Sequence, residues 1–195
     1  MSLELTTEER ATAGGNRGAG AAMAMRILAE MGRLLGAPRL IPVASAHIDG
    51  ALYHGDSGVH FAERLVAGGA KTAIPASLNV GGLDLLHPGT VKADPHRHEM
   101  ALRLMRAYEA MGCWQTWTCS PYHAGHRPAL GSDVAWGESN AVAFCNSVLG
   151  APPTATAISS TSAAPSRGAR PITGCIGRRI AAPRFGWIHP PCRPG

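Results

Sequence analysis

Apolar stretches in this chain alternate between two patterns, and that alternation restricts the possible folds more than any other feature. Met23, Ile27, Leu28, Met31, Leu34 and Leu35 recur at three- and four-residue steps, so an amphipathic helix is expected there, stopped by Gly36 and Pro38. Asp56 or Ser57 can cap a second helix carrying Phe61, Leu65 and Val66 and ending at Gly68-Gly69. Ala101, Leu104, Met105, Tyr108 and Met111 mark a third, closed by Gly112, and a last helix is expected from about Glu138 to Leu149. Between them lie short strand-like runs at Leu40–Ala44, Lys71–Pro75 and Thr116–Thr118. Strands alternating with helices at this interval indicate an α/β domain with a mainly parallel sheet flanked by helices.

The residues directly after each run point to a site. The three runs lead into Ser45/His47/Asp49, Ser77/Asn79 and Thr118/Cys119/Ser120. In open parallel sheets the binding crevice lies at the carboxyl ends of the strands, so the three clusters would share one edge. Any one of them alone would be an ordinary turn. His47 and Asp49, two apart, suit paired hydrogen bonding to a substrate or metal, whereas a capping His satisfied by backbone carries similar weight. His123 and His126 fall in a polar loop and are expected at a mobile surface. No phosphate-binding glycine motif is present.

Charge divides the chain in two. All 13 acidic residues lie at or before Glu138, against 12 Lys and Arg up to Gly150. Residues 151–195 hold six Arg, eight of the 15 prolines, and no Asp, Glu or Lys. The formal charge of +5 therefore belongs to the tail and says nothing about the folded part, for which nucleic acid is not expected as a partner. No apolar run is long enough to span a membrane and no signal peptide is apparent, so the chain is expected to be cytoplasmic. Its five cysteines form no CxxC, and spacing alone favours buried structural thiols.

Several segments together resemble the catalytic domain of the aconitase X family. They include Ala22-Met23-Ala24-Met25-Arg26-Ile27-Leu28, Ser45-Ala46-His47-Ile48-Asp49-Gly50, Leu78-Asn79-Val80-Gly81 and Asp84-Leu85-Leu86-His87-Pro88. Thr116-Trp117-Thr118-Cys119-Ser120-Pro121-Tyr122 and Trp136-Gly137-Glu138-Ser139-Asn140-Ala141 continue the series. The resemblance runs from about Leu3 to Gly150 and implies an iron-dependent dehydratase. The family's substrates are small hydroxy-carboxylates such as cis-3-hydroxy-L-proline or mevalonate 5-phosphate. It implies an iron or iron–sulfur cofactor, with Cys119 as the thiol suited to ligation. It also implies substrate contacts from Ser45, His47, Asp49, Asn79, Glu138, Ser139 and Asn140, without assigning a catalytic residue. The last three would open a helix whose backbone N–H groups suit an anion.

Family members continue well beyond Gly150, and a small swivelling domain or subunit brings further groups. The N-terminal part alone is therefore expected to be inactive and not to hold the cofactor unaided. Reading residues 151–188 from the third base of the codon for Ala151, with free codon choice, permits a family-like TNRYGDF continuation. We read the tail as a one-base frameshift and expect it to be disordered. The alternative is a non-catalytic α/β fragment whose basic tail binds nucleic acid or another acidic partner.

Overall fold

The computed structural model describes residues 3–90, 92 and 94–150, together with the backbone of Ala169–Pro171. It opens with a helix that the apolar pattern does not show, α1 (Thr7–Ala13). Its cause is local: Thr6 accepts from Glu9 N–H and the Glu9 carboxylate accepts from Thr6 N–H, a reciprocal cap legible in Thr6-Thr7-Glu8-Glu9. The three periodic segments form α2 (Ala19–Leu34), α3 (Asp56–Ala67) and α4 (Pro95–Ala110). A shorter α5 spans Ser139–Ser147. Among the described residues no helix is long and apolar enough to cross a membrane.

The strands depart from expectation in position. β1 (Leu40–Pro42) pairs antiparallel with β5 (Ala169–Pro171), and apart from those three residues the expected disorder of the tail lies outside the described residues. The central sheet consists of β2 (Ser45–Ile48), β3 (Ala76–Leu78) and β4 (Val134–Trp136), ordered β3-β2-β4 and all parallel. Lys71–Pro75 is a connection rather than a strand. Pro75 has no N–H for a ladder, and its carbonyl accepts from Ala46 N–H just before β3 begins. Thr116–Thr118 is not a strand either. Trp114 bridges to Ser77 and its carbonyl accepts from Leu78 N–H, but the ladder stops there: two residues on it is the Thr116 side chain that reaches Leu78, accepting from its N–H and donating to its carbonyl. Trp117 then turns away with φ of 44°, the left-handed region that a bulky residue rarely adopts.

The two faces of the sheet have different chemistry. Ala46, Ile48, Ala76, Leu78 and Ala135 point into a core built with Met25 and Leu28 of α2, Val59 and Leu65 of α3, and Leu104 and Tyr108 of α4. α2 and α3 meet at glycines. A Cβ on Gly68 would lie 2.2 Å from Gly20 N, so only glycine permits that approach. The opposite face carries Ser45, His47, Ser77, Val134 and Trp136. It is covered by α5 and by the loop after Cys119, with Trp136, Ala141, Cys145 and Leu149 packed against Tyr122 and Phe144.

Candidate functional site

Because β2 runs from Ser45, Ser45 and His47 lie along the strand and only Asp49 lies beyond its end. Alternation puts Ser45 and His47 on one face, and Asp49 alone reaches the carboxyl edge. Ser45, expected at that edge, sits at the start of β2, where its Oγ accepts from Trp136 Nε1–H at 3.0 Å. His47 is fully buried one layer below the edge, with Nδ1 2.9 Å from Ser77 Oγ. His126, expected on a mobile surface, is 3% exposed and places its own Nδ1 2.6 Å from the same Ser77 Oγ. Nothing in the local sequence marks that contact, which spans 49 residues.

The edge itself is formed by the first residues past each strand. Asp49 follows β2, Asn79 follows β3, and Glu138 stands two residues past β4 as the N-cap of α5. Asn79 joins them: its Nδ2 donates to Asp49 Oδ1 and, at 2.9 Å, to Glu138 Oε2. Glu138 Oε1 accepts from Ser139 N–H at 2.9 Å and from Ser139 Oγ–H at 3.0 Å. Asn140 Nδ2 donates to Cys119 O at 2.7 Å and to Ser120 Oγ at 3.1 Å, which brings the Cys119 turn against the start of α5. Asp49, Asn79, Cys119, Glu138, Ser139 and Asn140 are thus brought together, while Ser45 and His47 lie beneath them.

The two carboxyl groups are driven in opposite directions. Burial raises the Asp49 pKa, Asn79 opposes this, and the neighbouring Glu138 raises it further. Burial also acts to raise Glu138, but hydrogen bonds from Ser139, Asn79 and Asp49 prevail and hold it below the usual range. One group is therefore biased to keep its proton and the other to lose it. The Cys119 thiol is pushed up by burial and by the Glu138 and Asp49 charges, with hydrogen bonding to Asn79 opposing. Cys113 and Cys145 are buried thiols pushed up to about 12 by desolvation, in keeping with structural roles.

Residues 2–177 match the family described as the aconitase X first domain. The chain belongs to the aconitase X family. It is 39% identical over 157 residues to the phosphomevalonate dehydratase large subunit of Aeropyrum pernix, covering 76% of this chain and 39% of that protein. It is 41% identical over 143 residues to the cis-3-hydroxy-L-proline dehydratase of Pseudomonas aeruginosa, covering 73% and 25%. Holo-form aconitase X of Thermococcus kodakaraensis has a similar fold, with a TM-score of 0.76 and 35% identity over 86% of this chain and 42% of that one. The chain spans well under half the length of these aconitase X relatives.

The cofactor that the family implies can be tested against the donor set. Among the described residues no group of three or more His, Cys, Asp or Glu side chains is placed to hold a metal ion. An iron–sulfur cluster needs several thiolates, and Cys113 and Cys145 are buried. The described residues therefore do not fit such a cluster by themselves.

Proposed function

We propose that this chain supplies part of the active site of an aconitase X-type hydro-lyase that removes water from a small hydroxy-carboxylate. Cis-3-hydroxy-L-proline and mevalonate 5-phosphate, named by the relatives, are the candidate substrates. The observation that carries the reading is the pair of unlike carboxyl groups, Asp49 and Glu138, held on one amide beside Cys119. Dehydration needs a proton donor for the departing hydroxyl and an acceptor for the α-proton. Neighbouring titratable groups pushed apart in pKa can divide that work. Asp49 is suited to hold and deliver a proton, and Glu138, kept ionised by Ser139 and Asn79, to accept one. Asn79 fixes their separation. In the first turn of α5, Ser139 N–H is engaged by the Glu138 carboxylate and Val142 N–H by the Glu138 carbonyl, so the substrate carboxylate falls to the N–H groups of Asn140 and Ala141.

Cys119 is proposed as one ligand of an iron–sulfur centre whose other thiolates lie outside the described residues. A small partner subunit would complete the cleft, in line with relatives that are themselves large subunits. The test is iron content after anaerobic reconstitution. The 195-residue chain alone should remain essentially colourless and inactive on both substrates. A version continued in the family frame beyond Gly150 and mixed with its small partner should take up iron, and Cys119→Ala should abolish uptake with the fold retained. Stoichiometric cluster binding by the present chain would overturn the ligand assignment. Unchanged iron in the extended Cys119→Ala protein would remove Cys119 from the metal site.

A further inference from the structure

The segment that bears Cys119 is fastened to the sheet by a contact that the proposed reaction does not use. Its near end is held by Thr116, whose hydroxyl bonds to both Leu78 N–H and Leu78 O. Asn140 holds its middle through Cys119 O and Ser120 Oγ. Its far end is held by His126, which reaches under the loop to Ser77 in the middle of β3. Ser77 and His47 are both fully buried, so the Ser77 hydroxyl lies between two imidazoles at 2.6 and 2.9 Å.

The hydrogen-bond inventory restricts this contact. A serine hydroxyl has one proton and two acceptor sites, so it can donate to only one ring, and the other ring must donate its Nδ1–H. The arrangement suits two neutral rings, and burial holds both imidazole pKa values down to about 4, with the His126 charge adding to the cost at His47. Among the described residues neither Nε2 has a hydrogen-bond partner, so Ser77 is the sole side-chain partner of both rings. Trp114 and Trp136 flank His126 with ring centroids 5.0 and 5.3 Å away, which limits where the ring can go. A buried loop histidine with one polar partner is a fastening, because breaking the bond strands both groups without water.

We propose that Ser77 and His126 form a latch that holds the segment from Cys119 to His126 closed on the polar face of the sheet and so sets the position of the Cys119 side chain. Both are positioning residues, since neither reaches the cleft edge. The functional meaning of the latch rests on Cys119 being a site residue, but its existence does not, and the test reads the thiol without any reaction.

The measurement is N-ethylmaleimide labelling of the native full-length chain, followed site by site through peptide masses. In Ser77→Ala and in His126→Leu, Cys119 should label roughly tenfold faster than in the parent, the scale set by loss of one buried hydrogen bond. Cys113 and Cys145 should stay protected. His126→Asn, whose amide can stand where Nδ1 stands, should return Cys119 to near the parental rate. Unchanged Cys119 labelling in both variants would overturn the latch, and so would all three thiols rising together, which marks a merely structural role. If Ser77→Ala does not fold, the two His126 variants decide by the same criteria, because that residue lies on a loop outside the strands. Failure of cluster binding or turnover in the extended protein would leave this result untouched.

Discussion

Asn79 and Glu138 are 59 residues apart in sequence, yet Asn79 Nδ2 donates to Glu138 Oε2 at 2.9 Å, and the same nitrogen holds Asp49. The bond joins the end of β3 to the cap of α5 across the intervening β2, so one amide organises the whole carboxyl edge. Asn79 is 2% exposed, and little water is available to replace it. Asn79→Leu removes the donor and leaves two carboxyl groups facing each other. It should cost about 2–3 kcal/mol, read as a lower urea midpoint with an unchanged slope.

Asp49→Asn tests the opposed titration. The folded-state pKa of Asp49 lies above its ordinary value of 3.8, so the carboxyl group is more favourable to folding below that pH than above it. Its ionisation costs stability as pH rises through the folded value. An amide reproduces the protonated shape at every pH. The variant should gain a few degrees in Tm at pH 7–8, and the gain should fade as pH falls towards 3.8, followed by thermal melts across that range.

The two buried imidazoles predict acid sensitivity of the opposite kind. Their folded pKa values are lowered from 6.5 to about 4. Stability is thus full above pH 6.5 and is lost as pH falls towards 4, because the unfolded chain takes up protons that the folded one refuses. The loss approaches about 3 kcal/mol per ring. In His126→Asn the difference in urea midpoint between about pH 7 and pH 4 should shrink, with His47 and the carboxylates held below their ordinary range, such as Glu138, accounting for the remainder.

Gly68→Ala tests the helix contact behind the site. Its Cβ would stand 2.2 Å from Gly20 N, with backbone on both sides and nothing free to rotate away. The expected cost is roughly 3 kcal/mol or more, seen in the urea midpoint, whereas Gly58→Ala, with open space around its Cβ, should be tolerated.

Helices α2, α3 and α4 are legible in the sequence because 3.6-residue periodicity over long segments needs no partner to be recognised. The sheet strands are only three or four residues long, too short for alternation to register, and tertiary pairing sets their bounds. The polar edge is foreseeable only in part: Ser45, Asn79 and Cys119 are expected there together, and of the Ser45/His47/Asp49 cluster it is Asp49 that reaches Asn79. Ser45 and His47 sit deeper than expected because apolar Leu40–Ala44 is more strand-like in composition than Ser45–Ile48, whose polar face is buried under a loop. β4 carries little signal because Val134–Trp136 is a brief apolar run between polar stretches. His126 is not readable locally, since its burial depends on Ser77, Trp114 and Trp136 converging from three separate segments.

If Asp49 and Glu138 move the protons in a dehydration, Glu138→Gln is the variant that exposes it most directly. The protein to use is the chain extended in the family frame with its small partner, assayed for water loss from cis-3-hydroxy-L-proline and mevalonate 5-phosphate. The parent should turn over one of the two. Glu138→Gln keeps one acceptor oxygen for Asn79 but loses the base and the second acceptor that caps α5, so kcat should fall by about 10²–10⁴ with iron content preserved and only a small drop in Tm. A variant that retains parental kcat at full iron occupancy would contradict the proton-transfer roles given to this pair.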